Sequence, residues 1–102
     1  MPTADSVQIL PGQPAIFARV LSTNWEQLPK VDHCISVFLR PRPGNAAAIY
    51  VATYSGADGT NRIELATTDA GITLDIDSPS KLFVRGASVT PTLEVICILR
   101  GR

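Results

Sequence analysis

Along most of this chain apolar and polar residues alternate at a spacing of two, which is the period of a strand with one buried face. From Gly71 to Gly86, Ile72, Leu74 and Ile76 alternate with Thr73, Asp75 and Asp77, and Leu82 and Val84 alternate with Lys81, Phe83 and Arg85. Between these runs stand Asp77, Ser78, Pro79 and Ser80, with Pro79 fixing its own φ and forcing Ser78 to be extended. The stretch therefore predicts two strands joined by a hairpin or a corner, with the rest of the chain sandwiching it.

Elsewhere the same pattern recurs in short pieces. Ala15 to Leu21 reads as a strand in which Ile16, Ala18 and Val20 face one way and Phe17, Arg19 and Leu21 the other. Ser22 to Asp32 is the least strand-like portion; it predicts a loop or a single helical turn capped by Thr23 or Asn24 with Gln27 as its capping-box partner. His33 to Arg40 is a strongly apolar strand closed by Pro41-Arg42-Pro43-Gly44-Asn45, which cannot continue a ladder. Ala48 to Tyr54 and Arg62 to Ala66, with Ile63 and Leu65 inward, flank a Gly-rich turn containing the hairpin signal Asp58-Gly59. Thr92 to Leu99 is nearly continuous in apolar residues and predicts a central strand covered on both faces. Seven or eight short strands without a long helix define an all-β, antiparallel β-sandwich, jelly-roll or Ig-like.

Length allows one domain: 102 residues, 45% of them apolar. Val7, Ile9 and Leu10 precede the Pro11-Gly12 break, so residues 1–11 are expected to form an N-terminal arm or edge strand and residues 12–102 the sandwich. An isolated strand has no stability of its own, and the arm should lie along a sheet edge, its own or a neighbour's. A body this small gains from sharing its core, so a homo-oligomer, dimer or trimer, is expected.

Charge narrows the partners. Nine basic and nine acidic residues leave a formal net charge of zero, which gives no global attraction to nucleic acid or to an anionic membrane. The apolar runs are far shorter than the roughly 20 residues that span a bilayer. Residues Met1 to Ser6 lack the basic start and apolar core of a secretory signal, so cytoplasmic synthesis is the expectation.

Candidate chemistry is sparse. His33 has no second histidine with which to hold a metal, and Asp75 and Asp77, though on one strand face, have the spacing of any solvated strand. Asp58-Gly59-Thr60-Asn61 resembles a calcium loop only faintly and reads as a turn. Cys34 and Cys97 lie within apolar strands, where buried free thiols are expected and a disulfide is the alternative. No nucleophile elbow, Walker loop, dinucleotide fingerprint or zinc spacing is present, so no enzyme activity, cofactor or metal is expected. Arginines outnumber Lys30 and Lys81, and Arg is the residue suited to bidentate contact with carboxylates at interfaces. Val7, Ile9, Trp25, Arg40, Arg42, Phe83 and Arg85 are the expected interface residues.

An ordered set of pieces adds to this picture: Cys34, then Pro43-Gly44-Asn45, Ile49-Tyr50-Val51, Ile63 and Leu65, Leu74-Asp75-Ile76, and Leu82-Phe83-Val84 with Gly86. Over about two-thirds of the chain this order resembles a group of small single-domain β-sandwich virion proteins of tailed bacteriophages. Ala46-Ala47-Ala48, Ala52 and Thr68-Asp69-Ala70-Gly71 depart from that group's pattern. The resemblance implies a structural protein made in the host bacterial cytoplasm and located on the capsid surface of the virion. Its implied role is head decoration or cement, binding and stabilising the lattice of the major capsid protein. A neck or tail adaptor is the alternative from the same virion, and a carbohydrate-binding sandwich at a fibre tip, using Trp25, Tyr50 or Tyr54, is the alternative of a different functional class.

Overall fold

The computed structural model describes residues 15–100, and these form eight strands in two four-stranded antiparallel sheets. The strands are β1 (Ala15–Val20), β2 (Glu26–Gln27), β3 (Cys34–Pro41), β4 (Ile49–Ala52), β5 (Arg62–Leu65), β6 (Ile72–Leu74), β7 (Phe83–Gly86) and β8 (Thr92–Leu99). Sheet A has the order β1-β8-β3-β6 and sheet B the order β2-β7-β4-β5. The expected arm, 1–11, with Val7 and Ile9, lies outside the described residues.

The pairings are nested. β4 pairs with β5, β3 with β6, β2 with β7 and β1 with β8. The chain is thus one long antiparallel ribbon, doubled at the Gly-rich turn, whose two halves change sheet together. Additional pairing of β3 with β8 and of β4 with β7 rolls the ribbon into two sheets. This is the winding of an eight-stranded jelly roll, and it decides between the two sandwich forms that alternation alone allows.

Alternation puts the core where the sequence pattern directs it. Val37, Leu39, Leu93, Val95 and Cys97 of sheet A face Ile49, Val51, Leu65 and Val84 of sheet B, all buried. Leu21, Leu28 and Val31, from the connections, close the ends of the same core. On β1 the inward set is Ala15, Phe17 and Arg19, leaving Ile16, Ala18 and Val20 outward and exposed. Ile63 shares the inward parity of Leu65, yet β5 is an edge strand and Ile63 stays 45% exposed at its rim.

One expectation is resolved between its own alternatives and two change. Residues 71–86 form a corner: β6 belongs to sheet A and β7 to sheet B, with a 3-10 turn at Pro79–Lys81 between them. Beside it runs the other half of the ribbon, from β2 to β3. Leu28 N–H donates to Leu82 O at 3.1 Å, and Val31 N–H donates to Ser78 Oγ at 3.1 Å. Second, the segment 22–32 contains no helical turn, because Glu26 and Gln27 pair with Val84 and Phe83. Third, β8 is central, but among the described residues a second layer covers only its inner face; Ile98 on the outer face is 42% exposed.

Candidate interaction surfaces

The outer face of sheet A is built by the residues that alternate with the core. One cross-strand row runs Thr73, Phe38, Ile96, Ile16 from β6 to β1. Ile98 flanks this row on one side, Val20 lies two rows away opposite Thr92, and Ile16 and Val20 are 55% and 64% exposed. Phe38 is seated by Gly71, whose φ of +119° only glycine adopts easily and where an added Cβ would lie 2.6 Å from the Phe38 ring. The next row is charged: Arg40 Nε donates to Glu94 Oε1 at 2.7 Å and Arg42 Nε to Glu94 Oε2 at 3.0 Å. Hydrogen bonds from Arg40 first, then Arg42, hold the Glu94 carboxyl below its usual range. Together the aliphatic row and this charged row border a shallow groove of ≈ 330 Å³.

Sheet B presents a different outer face. Trp25 immediately precedes β2, Arg85 lies on β7, and Tyr50 on β4 is the cross-strand partner of both Arg85 and Glu64. The Arg85 guanidinium carbon sits 4.7 Å from the centroid of the Tyr50 ring and 5.5 Å from that of Trp25. From β5, on the other flank of β4, Arg62 lies 3.8 Å from the Tyr50 centroid. Phe83 occupies the neighbouring row, opposite Ala52 and Gln27. The expected interface residues are therefore divided: Arg40 and Arg42 are on sheet A, and Trp25, Phe83 and Arg85 are on sheet B. Arg62 and Tyr50 join the second group. Only the register reveals that, since neither is near Arg85 in sequence.

The remaining candidates have local partners. Asp77 pairs with Lys81 at 2.9 Å, and Asp58 Oδ1 accepts from Thr60 N, Thr60 Oγ1 and Asn61 Nδ2, the bonds of a turn. His33 has the left-handed φ of 63° just before β3, and its carbonyl accepts from Arg100 N at 2.6 Å. Cys34 and Cys97 are free and buried, and Cys34 Sγ donates to the Ser36 carbonyl at 3.1 Å. Burial pushes the Cys97 thiol up to about 12. Among the described residues no group of three His, Cys, Asp or Glu side chains could hold a metal ion.

Fold and surfaces together define a small jelly roll with two chemically unlike outer faces, one aliphatic and one of arginine and aromatic residues. No protein family matches the chain, and neither a curated protein nor a solved structure is significantly similar to it.

Proposed function

We propose that this chain is an assembly protein of a tailed-phage virion, a head decoration or cement protein that seats the aliphatic face of sheet A on the major capsid lattice. The observation that carries the proposal is the row Phe38, Ile96, Ile16 on the outer face of sheet A, with Ile16 exposed and Phe38 and Ile96 partly exposed, over which the described residues lay no further layer, in a chain without net charge. Burying large apolar side chains in a partner is the main favourable term in protein association, at about 25 cal/mol per Å² removed from water. The choice of a capsid as partner rests on the ordered strand residues from Cys34 to Gly86. It draws further support, by analogy of fold alone, from the use of jelly rolls in viral capsid domains.

Lectins share this architecture, but the ring of Tyr50 already carries Arg62 at 3.8 Å, which leaves less aromatic face for a sugar. The test is quantitative mass spectrometry of particles that carry the chain. Copies in proportion to the major capsid protein are expected, and Ile96→Asp should remove the chain from the particles without unfolding it. Copy numbers matching a tail ring would favour the adaptor, and full retention of the Ile96→Asp variant would exclude this face.

A further inference from the structure

Most of the basic side chains of sheet A already have an acid. Arg19 pairs with Glu26 at 3.1 Å, and Arg40 and Arg42 share Glu94. Arg62 and Arg85, on the outer face of sheet B, differ: among the described residues neither has a carboxylate within ion-pair distance. Both guanidiniums are held against one ring, that of Tyr50, and Arg85 is further fixed by donating through Nη1 to the Gly86 carbonyl at 3.1 Å. A π contact occupies the flat face of a guanidinium and leaves N–H groups at its edge to donate, so each arginine is oriented before a ligand arrives. Ordering of long side chains is one of the main costs of association, and here part of it is already met by folding.

From this arrangement we infer that the outer face of sheet B is a docking site for an acidic protein segment, whose carboxylates bind Arg62 and Arg85 beside Trp25 and Phe83. Trp, Tyr and Arg are the residue types that dominate binding energy at protein interfaces, and all three meet in this patch. The same observations argue against a nucleic acid. Nucleic-acid affinity is built mainly from many phosphate contacts, whereas a protein segment adds contacts with Trp25 and Phe83 to its carboxylate–arginine pairs; Glu64, the cross-strand partner of Tyr50, opposes either anion. Base or sugar stacking would also need the ring face that Arg62 covers. The site lies on the sheet opposite the proposed capsid-binding face and does not depend on that proposal.

The chain has a single tryptophan, Trp25, inside this patch, so its fluorescence reports on this face alone. Titration of the full chain at low salt with a hexaglutamate peptide should change Trp25 emission saturably. Arg62→Gln with Arg85→Gln should weaken that binding by at least about tenfold, and Glu64→Gln should tighten it. Ile96→Asp, on the opposite face, should leave it unchanged. Circular dichroism verifies that each variant is folded; should the double variant unfold, Arg62→Gln alone must still weaken binding by about threefold or more. Absence of a saturable response, unchanged affinity in the folded arginine variants, or tighter binding of an oligothymidylate or a hexauronate of equal charge would each overturn the inference.

Discussion

Individual side chains in this fold follow the two rules that alternation imposes, buried on one parity and solvated on the other, and the exceptions occur at strand edges. Ile49 is fully buried at the centre of sheet B, whereas Leu74, of the same inward parity, lies on the edge strand β6 and stays half-buried. Ile49→Ala should therefore cost about 2–5 kcal/mol through the cavity it leaves, and Leu74→Ala clearly less, because an open rim relaxes or admits water. Denaturant titration measures both, and equal losses would show that β6 is packed as tightly as β4. Chemistry at residue scale is equally position-bound. With its thiol raised to about 12 by burial, Cys97 carries almost no thiolate at pH 8, and a thiol reagent should modify it only on the timescale of unfolding. Glu94 works in the opposite sense. Its carboxyl is held below the unfolded value of 4.5 by Arg40 and Arg42, so its contribution to stability is complete above that value. It is lost as pH falls through the lower folded value. Glu94→Gln should lower stability at neutral pH by no more than about 1 kcal/mol, as for other surface ion pairs, and flatten the acid limb of a stability-against-pH curve.

At the scale of elements, the strands were legible in the sequence and their partners were not. Period-2 alternation locates β1, β3, β4, β5, β7 and β8 to within a residue or two, since each needs only its own inward set. Whether 71–86 is a hairpin or a corner depends on bonds to residues about fifty positions away, and alternation is the same in either case. The element that settles it is Ser78. It is buried, its Oγ accepts from Val31 N and Ser80 N, and it caps the 3-10 turn whose first residue is Pro79. Segment 22–32 was misleading for a related reason: Thr23, Asn24 and Gln27 suit a helix cap and a turn alike. Long-range bonds such as Gln27 Nε2 to Ser80 O at 2.6 Å select the extended form. Ser78→Ala should leave the Val31 amide buried without its acceptor and cost about 1–3 kcal/mol, more than Ser80→Ala. A loss no greater than that of Ser80→Ala, measured by chemical denaturation, would mean that the two halves of the ribbon are not joined at this corner.

For the molecule as a whole, the central position of β8 could be read from its apolar run, while the openness of its outer face could not. Ile96 and Ile98 have the same composition whether a layer of protein covers them or not, and only the two-sheet winding shows that none of the described residues does. The candidate surfaces were legible as residue types, arginines and aromatics, but their separation onto two faces follows from strand order alone. That separation has a thermodynamic consequence. Packed sheets lie about 10 Å apart, and side chains that point outward from each add to that distance, so a residue on one face and a residue on the other share no partner. Substitutions this far apart add to within about 0.5 kcal/mol. Ile96→Lys removes an exposed apolar group from sheet A, and Arg62→Gln removes a guanidinium from the ring of Tyr50 on sheet B. The double variant should accordingly show the sum of the two single changes in unfolding free energy. In the proposed assembly, occupancy of particles should fall with Ile96→Lys and be indifferent to Arg62→Gln. A coupling energy well above about 0.5 kcal/mol, or particle occupancy that responds to both substitutions, would show that the two faces communicate through the core and do not act as independent surfaces of one rigid body.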